Sequence, residues 1–67
     1  QTYRIRDEFI KLGQALKAAG FEKTNNDAKI AVQDGLVKVN GQVETARGKK
    51  LVPGDVVEYD GQTLKIE

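Results

Sequence analysis

A chain of 67 residues with a formal net charge of +1 allows one domain and one small core, because at this size folding buries only about 60% of the unfolded surface. It holds no cysteine, histidine or serine. That excludes disulfides and thiolate metal sites, removes the commonest general base near neutral pH and leaves no serine nucleophile. We therefore expect no enzymatic activity, no cofactor, no bound metal and no small-molecule substrate. No apolar run approaches the ~20 residues of a membrane span and no signal-peptide pattern opens the chain, so a soluble, cytoplasmic protein without a membrane partner is expected. The first residue is Gln1 in place of Met, which fits a processed or trimmed chain.

In chain order, Tyr3 and Ile5 alternate with Arg4 and Arg6, the two-residue period of a strand. Asp7 and Glu8 interrupt it and Phe9-Ile10 resumes it. Either one bent strand or a loose terminus followed by a short strand fits. From Leu12 the period changes: Leu12, Ala15, Leu16 and Ala19 fall on one helical face, and Gly20 ends the helix. Phe21 to Lys23 is a short connection, with Phe21 folding back onto the helices. A second helix runs from about Asn25 to Asp34. Thr24 caps it, and Asp27 is placed to answer the cap. Ala28, Ala31 and Val32 share its apolar face, which Ile30 is expected to widen. Gly35 ends it at the left-handed C′ position. Asn25, Lys29 and Gln33 lie on its polar face, four residues apart, and donors at a helix N-terminus suit a phosphate.

Leu36, Val37 and Val39 then give a strand with Lys38 inside it, closed by Asn40-Gly41, a strong hairpin-turn dipeptide. Gln42 to Glu44 is the return strand. Thr45 to Lys50 reads as a polar, basic loop around Gly48, followed by apolar Leu51 and Val52. Pro53-Gly54-Asp55 reads as a type II turn. Val56, Val57 and Tyr59 form a strand, Asp60-Gly61 a second hairpin turn, and Gln62 to Ile66 the last strand. The order predicts an α+β domain in which a two-helix hairpin packs on a small, mostly antiparallel sheet. Charge is segregated: Lys38, Arg47, Lys49 and Lys50 are opposed only by Glu44, whereas Asp55, Glu58, Asp60 and Glu67 are opposed only by Lys65. A near-neutral chain can thus present a local positive field.

Two glycine-terminated helices with their glycines fifteen residues apart (20 to 35), then Val37-Lys38-Val39-Asn40-Gly41 and Pro53-Gly54-Asp55-Val56-Val57, form a recognisable set. Over about residues 11–58 the chain resembles the RNA-binding domain named after small-subunit ribosomal protein four, here the S-four domain. Leu12 to Lys17 and Arg47 to Leu51 are most similar to its small stand-alone bacterial members, the YaaA-like and YbcJ-like proteins. The resemblance implies an alpha-L motif, with residues 1–67 forming one such domain, and RNA binding on a surface made by the two helices and the strand after them. This sequence departs from the pattern in three places. Lys11-Leu12-Gly13 stands where the family has Arg-Leu-Asp, Thr24-Asn25 where it has Ser-Arg, and Lys29 where it has a second arginine. Lysine is a point charge without the bidentate fork of arginine, so weaker, less oriented phosphate contacts are expected.

The candidate RNA contacts are Lys11, Asn25, Lys29, Lys38, Arg47, Lys49 and Lys50, with Lys29 and Lys38 expected to bracket one phosphate. Phe9, Phe21 and Tyr59 read as core or edge residues. The absence of a row of exposed aromatics points to structured RNA, ribosomal RNA foremost, recognised through its backbone by a monomer. Two other readings remain open from the sequence: a protein-interaction module with the same fold and little RNA affinity, and a domain of a larger RNA-modifying enzyme.

Overall fold

The computed structural model describes the backbone of residues 1–67 and every side chain except that of Asn25. In chain order the elements are β1 (Thr2–Tyr3), β2 (Ile10–Lys11), α1 (Leu12–Ala18), α2 (Asn25–Gln33), β3 (Val37–Val39), β4 (Gln42–Val43), β5 (Lys50–Leu51), β6 (Val56–Tyr59) and β7 (Gln62–Ile66). Five strands form one sheet in the order β1-β7-β6-β3-β4, antiparallel except for the parallel pair β1 and β7. Strands β2 and β5 form a separate antiparallel pair.

The helix stripes and the sheet share one core. Leu12, Ala15 and Leu16 of α1 and Ala28, Ala31 and Val32 of α2 are buried against Val37, Val39, Val57, Leu64 and Ile66 of the sheet and Leu51 of β5. The alanines keep the two short helices close, and burying each branched side chain contributes about 1.5–3 kcal/mol. Ile30 does not widen the α2 stripe and is half exposed. At 100° per residue it lies on the far side of the helix from Ala28, Ala31 and Val32. Leu36 likewise falls outside β3 and outside the core, because Val37 and Val39 take the inward positions of the alternation.

Both helices stop by the same device. Gly20 and Gly35, with φ of +79° and +76°, occupy the left-handed C′ position. The N–H groups of Gly20 and Phe21 donate to the carbonyls of Lys17 and Leu16, and those of Gly35 and Leu36 to Val32 and Ala31. These are Schellman motifs. The α2 start is also as expected: the Asp27 N–H donates to Thr24 Oγ1 at 3.1 Å. The described hydrogen bonds contain no return bond from the Asp27 carboxylate, whose side chain is one methylene shorter than the Glu or Gln of a full capping box.

The N-terminal segment is neither one bent strand nor a loose end. Its two parts join different sheets. The Lys65 and Glu67 N–H groups donate to the carbonyls of Gln1 and Tyr3, and Ile5 N–H donates to Glu67, which fixes β1 beside β7. Ile10 and Lys11 pair with Leu51 and Lys50, so the expected basic loop ends one residue early, in a strand.

Two turns are locked together. Asn40-Gly41 has φ of 53° and 84°, the both-positive signature of a type I′ turn. The Asn40 N–H donates to the Val56 carbonyl at 2.8 Å, its Oδ1 accepts the Val56 N–H at 2.9 Å, and its Nδ2 donates to Asp55 Oδ1 at 3.0 Å. Asp55 Oδ2 accepts the Val52 N–H at 2.9 Å, while the Asp55 N–H closes the Pro53-Gly54 turn on the Val52 carbonyl. The Val52 N–H, then the Asn40 amide, and the charge of Lys49 hold the Asp55 carboxyl below its ordinary value. On the other side of the domain Phe21 packs against Tyr59, ring centroids 6.2 Å apart, and the Tyr59 hydroxyl donates to Glu22. That hydrogen bond, followed by burial and the negative charges of Glu22, Asp60 and Asp27, pushes the Tyr59 hydroxyl up to about 12.

Asp55→Ala is expected to lower stability by about 0.5–1.5 kcal/mol in neutral urea titrations, since it removes the acceptor of the Val52 N–H and the Asn40 amide, both of which can turn to water. Because the folded carboxyl titrates below its unfolded value of 3.8, the wild-type advantage is fully present above that pH. It is lost as pH falls through the folded value. Tyr59→Phe should cost about 1 kcal/mol at neutral pH. The wild-type contribution should persist below pH 10 and disappear as pH rises toward 12, the direction set by a raised folded value.

Candidate nucleic-acid interface

The basic segment after β4 is a built feature. Lys49 N–H donates to the Ala46 carbonyl at 3.1 Å, closing a tight turn with Arg47 and Gly48 at its centre. That turn lies across the start of α1. The Leu12 N–H donates to the Lys49 carbonyl at 2.8 Å and the Gly13 N–H to the Arg47 carbonyl at 3.1 Å. Helix N-termini leave their first N–H groups without internal partners, and here loop carbonyls supply them. Gln14 Oε1 accepts the Lys11 N–H at 3.3 Å; the lysine at the cap position has no acceptor to offer in return. The start of α1 is therefore closed to an anion through its backbone and instead serves to fix the loop.

Gly13 is the key contact. It is buried, and a Cβ built on it would lie 2.6 Å from Arg47 Cγ and 3.2 Å from Arg47 Cδ. The missing side chain is the seat of the arginine stem. Lys11, Gly13, Gln14, Arg47 and Gly48 together line a surface groove. Lys11 faces Lys50 across the β2–β5 pair, and like charges directly opposite are unfavourable in a sheet. The Lys50 Nζ sits 4.8 Å over the Phe9 ring, a cation–π contact worth about 0.5–1 kcal/mol at an exposed site. Among the described residues no lysine or arginine side chain takes part in a hydrogen bond. The cations of this groove are held in place by backbone and packing while their donors stay uncommitted.

Of the expected contacts, Lys11 and Arg47 line this groove, and Lys50 stands next to it, paired with Lys11 across the ladder with its ammonium over Phe9. Lys49 lies at the margin, lining a second groove with Asn40 and Glu44 and adding its charge beside Asp55. Lys29 is exposed on α2. The side chain of Asn25 lies outside the described residues. Lys38 does not join them. Val37 and Val39 point into the core shared with α2, so Lys38 faces the open side of the sheet, in a cross-strand row with Val43, Glu58 and Thr63. Lys29 belongs to α2, which packs on the covered face of the sheet, and Lys38 lies on the open face, so the fold does not set the two side by side as expected. Sequence reasoning missed the role of Gly13. A glycine inside a helix costs about 1 kcal/mol against alanine, and that cost is itself a signal of close approach.

A small helical hairpin on an antiparallel sheet, with a basic turn strapped to the start of the first helix, is the architecture of a small nucleic-acid-binding domain. The chain belongs to the S4 domain family, whose sequence pattern matches residues 3–67. It is 37% identical over 57 residues to "Putative RNA-binding protein YbcJ" of Escherichia coli (strain K12), covering 85% of this chain and 81% of that one. It is 42% identical over 57 residues to "Probable ribosome maturation protein RlbA" of Bacillus subtilis (strain 168), covering 85% and 80%. The solution structure of E. coli YbcJ, described as revealing an alphaL motif involved in RNA-binding, superposes with a TM-score of 0.74 at 33% identity, over 97% of this chain and 84% of that one.

If Gly13 seats Arg47, the two positions are coupled. Gly13→Ala should be neutral or destabilising in the wild type, yet stabilise an Arg47→Ala background by up to about 1 kcal/mol, the ordinary helical gain. A double-mutant cycle by urea denaturation checks this.

Proposed function

We propose that this protein binds structured RNA, ribosomal RNA foremost, through its sugar-phosphate backbone and without catalysis. It acts in the cytoplasm as a monomer, with residues 1–67 working as one RNA-binding domain. The observation that carries the reading is the Arg47 turn. It is fixed by two backbone hydrogen bonds to α1 and holds Lys11, Arg47 and Lys50 together with no acidic hydrogen-bond partner. Like charges gathered at a stability cost suit a polyanion that neutralises them on binding. The names of YbcJ and RlbA, which point to RNA and to ribosome maturation for those proteins, support the same choice. Lys11, Arg47 and Lys50 form the centre of the proposed surface, with Lys49 at its margin and Lys38 outside it; Lys29, exposed on α2, is a further candidate. Arg47 supplies a guanidinium fork beside Lys11, which stands where the resembled pattern has an arginine.

A salt titration of binding to ribosomal RNA helices tests this. Contact with about four phosphates gives a log–log slope of roughly −3 to −4. Arg47→Ala and Lys50→Ala should each flatten the slope by about one unit, while Lys38→Ala should leave it unchanged. The protein-interaction reading is favoured by one feature, the exposed Leu36 and Val43 on the open sheet face. A slope near zero, or one that only Lys38→Ala alters, would move the function to that face.

A further inference from the structure

We infer that the groove between the N-terminal segment and α1 is a second RNA subsite, which takes one unpaired nucleobase on the ring of Phe9. The inference rests on the RNA-binding reading and extends it to a part of the chain outside the helix–strand–turn motif. Phe9 is 36% exposed, and it is the aromatic residue left at the surface; Phe21 and Tyr59 pack on each other and Tyr3 packs against the core. The groove beside it is lined by Arg4, Arg6, Asp7, Phe9 and Gln14, with Tyr3 and Ile5 behind them. This is a mixed set. Two guanidiniums and an amide donate, and one carboxylate and the amide oxygen accept. A bare phosphate has no use for the acceptor, whereas the edge of a base presents both donors and acceptors.

Continuity points to the same occupant. Gln14 lines this groove and also the groove of Lys11, Arg47 and Gly48, so the two meet along one side of α1. A strand whose phosphates follow Lys11 and Arg47 reaches Phe9 within the same surface. The Lys50 ammonium over the Phe9 ring shows that a ring face is accessible to a polar partner from solvent. A base stacks on an aromatic ring more strongly than an exposed ammonium does, so the base displaces Lys50, which is then free to meet a flanking phosphate. A single platform of this kind selects a helix that carries a bulged or overhanging nucleotide. It is compatible with backbone recognition of the paired part.

The test uses a fully paired RNA hairpin and the same hairpin with one bulged 2-aminopurine. The wild type should bind the bulged hairpin on the order of tenfold more tightly and quench the 2-aminopurine fluorescence. Phe9→Leu should lose both the preference and the quenching while it still binds the paired hairpin, whose affinity changes far less than that of the bulged one because Lys50 keeps its charge when the ring beneath it is removed. Phe9→Trp should restore both. Equal wild-type affinity for the two hairpins, or a bulge preference that survives in Phe9→Leu, would overturn the inference and leave the RNA reading standing. Failure to bind either hairpin would overturn both.

Discussion

The structure depends on the clamp between Asn40 and Asp55. Asn40 serves the β3–β4 hairpin as its left-handed turn residue, and the same side chain holds the Asp55 carboxylate and the Val56 N–H. Asp55 in turn holds the Val52 N–H. Between these anchors runs the segment that carries the basic turn. Its near end is fixed where the Glu44 N–H donates to the Val37 carbonyl, its middle is strapped to α1, and its far end is paired with β2. Both sequence signatures, V-K-V-N-G and P-G-D-V-V, are thus explained by one hydrogen-bonded unit. They belong to the scaffold, and the cations lie between them.

Stability and charge placement pull against each other at the groove. The core is made of few large side chains, so the domain has little margin, yet Lys11 and Lys50 face each other across a two-residue ladder. The fold tolerates the arrangement because Lys50 leans over Phe9 and because backbone hydrogen bonds, which do not depend on charge, hold the loop. Gly13 leaves the room that the Arg47 stem occupies, so a guanidinium from the loop is set beside Lys11 at the start of α1.

Most of the fold was legible in the sequence because its signals are local. Helical periodicity, the Thr24 cap, the glycines at 20 and 35 and the two Asx-Gly turns each report on a few adjacent residues, and, Ile30 apart, each formed as read. What escaped was non-local. Pairing of β1 with β7 and of β2 with β5 joins residues far apart in the chain, and two-residue strands carry too little periodicity to announce themselves. The site was legible only in part. Charge density drew attention to Arg47, Lys49 and Lys50, yet in the structure Arg47 shares a groove with Lys11 while Lys49 lines another, and the pleat that turns Lys38 away from α2 follows from which valines the core selects. The seat of Arg47 on Gly13 required the loop to be placed first.

The most direct test of the central claim, that the strapped basic turn is the RNA surface, is a nitrogen–proton correlation spectrum of the labelled protein titrated with a structured ribosomal RNA helix. Shifts concentrated at Lys11 to Gln14 and Ala46 to Lys50 are expected, with Lys38, Glu58, Thr63 and Lys65 unmoved. Shifts centred on Lys38, Glu58 and Thr63 with a silent Arg47 turn would contradict it and place the RNA on the open face of the sheet.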